Sequence, residues 1–241
     1  AYAADEAPAA APAEAPEHVV AYTATILSDY RFRGISQTQK EAALQLAVDY
    51  TNNPTGLYAG AFLSNIKWVK ATALTAGSDD TAPVEIDFYG GKRGDITGGL
   101  TYDVGGIYYY YPGESLKTIV GRDASSMEVY AQLGMGPVYA KYSYAITDFI
   151  GTGDRGSTYI DVGANIPLTE KLVLNLHAGK QHFQGNTAAN YEDVKIGLTN
   201  DFGYFTGAIA VTTANGTAAA YTWNGVNVAG DAVVISAAKA F

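Results

Sequence analysis

The chain has no cysteine, which removes disulfides and thiolate metal ligands from consideration and leaves the redox compartment unmarked. It is also poor in charge. Charged residues make up 16%, against roughly 25% in an average soluble domain, so a salted aqueous surface is not what most of this chain covers. The charge present leans acidic, with 24 Asp and Glu against 15 Lys and Arg and a net of −9. That balance excludes a nucleic-acid partner, because phosphate binding needs clustered bases. No apolar run approaches the roughly 18 to 20 residues of a membrane-spanning helix, and no basic start followed by an apolar core opens the chain. The first residues, Ala1-Tyr2-Ala3-Ala4-Asp5, instead match what a secretory cleavage leaves, so the sequence reads as an exported protein with its signal peptide removed.

What the chain does have is glycine, 27 of 241 residues, and tyrosine, 19. The length allows one large all-β domain or two small ones. Residues 4–17 are Ala, Pro, Glu and Asp with no apolar anchor, and residues 1–17 read as a flexible tail. From residue 18 to 241 apolar and polar residues alternate with period two. Leu44, Leu46, Val48 and Tyr50 oppose Gln45 and Asp49; Val84, Ile86 and Phe88 oppose Glu85 and Asp87; Val194, Ile196 and Leu198 oppose Asp193 and Lys195. Helix is disfavoured throughout by glycine, tyrosine and threonine. The expectation is about twelve strands, centred near residues 24, 46, 61, 87, 103, 130, 141, 162, 176, 196, 208 and 236, each roughly 9 to 12 residues long, the span of a tilted strand in a bilayer. One longer strand is expected over residues 95–111.

The connections alternate. Short turns rich in Asn, Asp, Gly and Pro fall at 52–56, 91–94, 134–137, 167–171 and 200–203. Longer polar loops fall between them at 31–40, 67–82, 112–124, 148–156, 182–190 and 214–230. Short on one rim and long on the other is the plan of an outer-membrane barrel with periplasmic turns and extracellular loops. An even strand count puts both termini on the periplasmic side. Periodicity alone cannot tell such a barrel from a soluble lipocalin-like one, whose apolar face would point inward. Scarce charge and tyrosines on apolar faces (Tyr22, Tyr30, Tyr50, Tyr102, Tyr108, Tyr110, Tyr142 and Tyr144) favour the membrane, with several placed for an interfacial girdle. In "GIYYYYPG" alternation sends Tyr108 and Tyr110 to lipid and Tyr109 and Tyr111 inward.

The segments "SDYRFRGISQT", "ALQLAVDYTNNPTGLYAGAFLSNI", "EIDFYGGKRGDITGGLTYDVGGIYYYYPG", "EVYAQLGMGPVYAKYSYAITDFIG" and "NYEDVKIGLTNDFG" resemble the TorF family, proteobacterial outer-membrane proteins classed as porins and formerly of unknown function. The resemblance spans nearly all of residues 19–241 and implies a single outer-membrane barrel. The C-terminal Phe241 on an alternating strand likewise resembles the signal read by the barrel-assembly machinery, although Lys239 stands where an apolar residue is usual.

With the polar faces inward, the lumen would be lined by Asp29, Asp49, Glu85, Asp87, Asp103, Glu128, Asp161 and Asp193 against Lys141 and Lys195, with Arg31 and Arg33 at the mouth of strand one. Two readings follow. The arginines can pair with luminal carboxylates in a packed polar plug, or an acidic lumen with arginines at its mouth can pass small hydrophilic solutes, cations or zwitterions before anions. A closed barrel with a structural or adhesive role is the alternative. Lipid-modifying enzymes are built on similar barrels, but the chain offers only His18, His177 and His182 and no Gly-x-Ser-x-Gly elbow. His177 and His182, five apart on a strand, face opposite ways and make a poor metal pair. The expectation is a monomeric, non-enzymatic barrel in the bacterial outer membrane, without cofactor or metal, contacting lipid, the assembly machinery, its solutes and no nucleic acid; a periplasmic partner of the tail is left unspecified.

Overall fold

The computed structural model describes residues 16–80 and 82–241. The expected tail over 1–17 therefore lies almost wholly outside the described residues. Its last two residues are held: the Asn53 amide side chain donates to the Pro16 carbonyl, and the Asn53 N–H to that of Glu17.

Among the described residues sixteen strands form: β1 (His18–Leu27), β2 (Arg31–Phe32), β3 (Ile35–Ser36), β4 (Ala43–Asn52), β5 (Leu57–Asn65), β6 (Val84–Thr97), β7 (Leu100–Tyr110), β8 (Ser126–Met135), β9 (Val138–Ala145), β10 (Asp154–Pro167), β11 (Leu172–Gln184), β12 (Tyr191–Asp201), β13 (Thr206–Ala214), β14 (Thr222–Trp223), β15 (Val226–Asn227) and β16 (Ala232–Ala240). Twelve of them, β1, β4 to β13 and β16, close into an antiparallel barrel, sealed where β1 pairs with both β4 and β16. Each expected strand centre falls in a different wall strand. The remaining four make two small hairpins, β2–β3 and β14–β15, within long loops.

Closure removes every free edge, the condition for backbone to cross hydrocarbon. The outer face carries the apolar residues of the alternation. Val20, Leu44, Leu46, Phe88, Val129, Ile160, Ile196 and Val211 are all exposed on it, while their odd- or even-numbered neighbours Glu85, Asp87, Glu128 and Asp193 are buried inside. A soluble barrel would show the reverse. This is a transmembrane β-barrel with short periplasmic turns and long extracellular loops.

Three expectations are corrected. The turn placed at 91–94 does not exist: β6 runs through it to Thr97, and the chain reverses at Gly98 and Gly99, whose φ values of 60° and 82° exclude most side chains. The long strand expected over 95–111 is therefore the end of one strand and the start of the next. Helix is not absent: α1 (Trp68–Thr75), α2 (Leu116–Val120) and α3 (Ala218–Tyr221) form in extracellular loops. The Ala and Leu of "WVKATALT" favour helix, and Trp68, Val69, Ala71 and Ala73 bury one side of it. Tyr30 does not face lipid. The chain leaves the wall after Leu27 and turns inward, so the alternation no longer applies, and the Tyr30 hydroxyl donates to Glu85 Oε1 at 2.9 Å.

Candidate functional site

The segment "SDYRFRGISQT" dives into the barrel. Its centre is the β2–β3 hairpin, with Arg31 paired to Ser36 and Phe32 to Ile35 around a two-residue turn, Arg33-Gly34, with φ of 49° and 79°. Positive φ at both positions is the twist a tight hairpin needs; Gly34 supplies it freely, while Arg33 is held there by what it touches. Its guanidinium donates to Glu128 on β8 (Nη2 to Oε2, 2.6 Å; Nη1 to Oε1, 3.2 Å) and to Gln181 Oε1 on β11 at 2.8 Å. It also stands 4.2 Å from the centre of the Tyr159 ring on β10. Phe32 meets Tyr109 on β7 edge to face, and Gly34 packs against Asp193 on β12 and Ala214 on β13. One short hairpin thus touches wall strands on opposite sides of the barrel and lies across the lumen.

Above it the six long loops converge. Ile35, Trp68, Tyr111, Leu116, Phe149, Ala189 and Tyr221, from six different loops, belong to one buried apolar cluster. Alanine-rich loop sequence is what lets these loops pack closely over the mouth. The cap and the hairpin together occlude the extracellular half of the barrel.

Below the hairpin a cavity of about 580 Å³ remains. Arg31, Arg33 and Gly34 form its roof, Lys141, Asp161, His177, Asp193 and Lys195 its sides, and Asn165, Asn175 and Thr199 reach toward the short-turn rim. His177 is the hub of one side: Nδ1 lies 2.9 Å from Asp161 and Nε2 2.7 Å from Asp193, whose other oxygen accepts from the Tyr159 hydroxyl at 2.9 Å. His182 faces away and meets Asn190.

The acids expected along the lumen divide three ways. Glu85, Asp87 and Glu128 are sealed under the hairpin, Asp87 being 5% and Glu128 1% exposed. Asp49 and Asp103 lie on the opposite wall, accepting from Tyr89 at 2.5 Å and Tyr58 at 2.6 Å. Asp29, Asp161 and Asp193 line the cavity, Asp29 accepting from Arg31 Nε and the Ser36 hydroxyl. Of the bases, Arg31 and Arg33 are ion-paired, Lys141 sits 3.8 Å from the centre of the Tyr130 ring, and Lys195 is exposed to the cavity. Phe241 stands apart at the end of β16, its N–H donating to the Tyr22 carbonyl.

Composition hid a second use of tyrosine. Tyr108 and Tyr110 do face outward, while Tyr109 and Tyr111 are buried inside, but five more tyrosines lie over inward-facing glycines of a neighbouring strand. Tyr89 covers Gly60, Tyr58 Gly91, Tyr130 Gly105, Tyr139 Gly163 and Tyr159 Gly179. A Cβ at Gly60 would stand 2.5 Å from the Tyr89 ring, and one at Gly163 2.6 Å from Tyr139. Each ring fills the recess of a missing side chain and thickens the wall. The pairs become visible only once the register is known, since their members are 20 to 33 residues apart in the sequence.

The family described as "Bacterial protein of unknown function (Gcw_chp)" matches residues 10–241. No curated protein sequence matches the chain. Among solved structures, the KdgM porin in complex with disordered oligogalacturonate superposes with a TM-score of 0.55 at 4% identity, covering 92% of this chain and 98% of that one. The NanC porin superposes with a TM-score of 0.56 at 10% identity, covering 92% and 99%. At such identities the likeness is one of fold.

Proposed function

The chain belongs to the Gcw_chp family, and from its barrel and the hairpin laid across its lumen we propose that it is a porin-like channel of the bacterial outer membrane, for small hydrophilic solutes, that rests closed. The carrying observation is the seat of Arg33. A structural plug would suffice with apolar packing, whereas this hairpin is held over a polar lumen by a buried ion pair, Arg33 to Glu128. Such a pair is costly to desolvate and contributes little net stability, but removing one partner costs roughly 3 to 5 kcal/mol. It therefore supports a role in fixing one of two positions of the hairpin. The polar inner wall and the cavity of about 580 Å³ below supply the rest of a solute path.

When the hairpin swings aside, Glu85, Asp87 and Glu128 join Asp49, Asp103, Asp161 and Asp193 on the exposed inner face, against Arg33, Lys141 and Lys195. That balance favours cations and zwitterions over anions. The test is single-channel current of the refolded protein in a planar bilayer. Wild type is expected to open rarely in steady steps, and Arg33→Gln to open often. A barrel that inserts and is silent in both forms would be a closed scaffold with a structural or adhesive role.

A further inference from the structure

Two basic residues that line the cavity beneath the hairpin, Arg31 and Lys195, each have a donor that no described residue engages. The Arg31 side chain is 5% exposed. It uses Nε on Asp29 at 2.8 Å and Nη1 on the carbonyls of Gly34 and Gly230 at 2.8 and 3.0 Å. Its Nη2 is buried with no hydrogen-bond partner. Buried guanidinium nitrogens are almost always satisfied, so an open one asks for an acceptor.

Lys195 lines the same cavity and is exposed to it, and among the described residues it forms no ion pair. The two bases lie where the roof meets one side of the cavity. Gly34, which Arg31 holds, packs on Asp193, and Lys195 is two residues further along the inner face of β12, about 7 Å at the rise of a strand. Lys195 also stands directly across from His177 in the β11–β12 register.

The acids nearby do not answer this charge. Asp29 is taken by Arg31 Nε and Ser36, and Asp161 and Asp193 by His177 and Tyr159. Two cations facing one cavity repel each other unless an anion stands between them.

We propose that this is a binding subsite for a small oxyanion, the carboxylate or phosphate group of a hydrophilic solute, bridged between Arg31 Nη2 and Lys195 Nζ by charge-assisted hydrogen bonds. It deepens the channel reading by naming the class of group the path holds, and it rests on that reading only in treating the cavity as part of the path. The neighbouring Asp161 and Asp193 keep the cavity from being uniformly basic, which suits a solute carrying both signs of charge.

The experiment is calorimetric titration of the full chain, refolded in detergent, with sodium acetate and with inorganic phosphate at constant ionic strength. Saturable binding of at least one ion is expected, weakened tenfold or more by Lys195→Gln and recovered in Lys195→Arg. The tighter of the two identifies the group as carboxylate or phosphate. Lys195 carries no contact that holds the hairpin, so its variants report on binding even if Arg31→Gln fails to fold. No saturable binding by the wild type, or equal affinity in Lys195→Gln, overturns the subsite. A barrel that binds but never conducts would sink the channel reading and leave the subsite standing; one that conducts and binds neither ion would sink the subsite alone.

Discussion

A luminal tyrosine in this barrel has its place because the residue beside it has no side chain. Gly60 and Tyr89 are paired across β5 and β6, and the ring occupies the space a Cβ would need. Gly60→Ala should push Tyr89 out of that recess and break its 2.5 Å bond to Asp49. Overpacking of this kind costs about 1 to 3 kcal/mol, so the urea midpoint of the variant should fall, and a double change with Tyr89→Leu should recover part of the loss. An unchanged midpoint in Gly60→Ala would show the recess to be incidental. Glu114, in the extracellular loop that holds α2, carries a different kind of dependence. Partial burial, reinforced by a hydrogen bond with Asp123, pushes its carboxyl up to about 7. A carboxyl raised in the folded state binds its proton more tightly there than in the open loop, so its contribution is complete below the ordinary value near 4.5 and is lost as the pH rises through 7. Amide exchange in residues 111–125 should therefore slow, relative to the intrinsic rate, as the pH falls from 8 to 5. Glu114→Gln should flatten that trend; a slope identical to wild type would assign it to another group.

At the scale of a strand, what matters is which face a residue takes and how deep it lies. Ile196 is central in β12 and 61% exposed on the outer face; Ile86 is on the same face of the barrel but two residues from the loop end of β6. Arginine at the first position should cost roughly 2 to 4 kcal/mol and at the second about 1, because the penalty fades toward the interface. Glu85→Leu and Asp87→Leu each remove an acid from the inner face of β6, and the structure separates them. Glu85 accepts from Tyr30, so its loss strands a buried hydroxyl at about 1 to 3 kcal/mol. Asp87 has one buried oxygen with no partner and shares a hydrogen bond only with Glu85, so leucine there should cost less than at 85. Refolding yield into vesicles and urea midpoints of the four variants test the order; arginine tolerated at 196 as well as leucine at 87 would mean the faces are reversed.

For the whole molecule the decisive property is whether the lumen is continuous. The cap and hairpin interrupt it, so wild-type vesicles should swell slowly in small sugars. Under a potassium chloride gradient the open steps should show a cation-selective reversal potential, and neutralising Arg31 and Arg33 together should shift it further toward cations; anion selectivity in both would reject the acidic path. Much of this architecture was legible beforehand. Period-two alternation, turn chemistry and the long–short rhythm of loops determined twelve strands, their order and which faces would differ, since these depend on neighbours in sequence. The exceptions are instructive: β6 ran past Gly91 because glycine marks a recess for Tyr58 as well as a turn, and Tyr30 turned inward because a strand's alternation ends where the strand does. The acids of the lumen could be named one by one from their alternation, but not grouped. That Arg33 meets Glu128, 95 residues away, that six loops share one apolar cap, and that Arg31 and Lys195 face a single cavity were decided only by barrel closure, because contacts across a lumen carry no local period for the sequence to display.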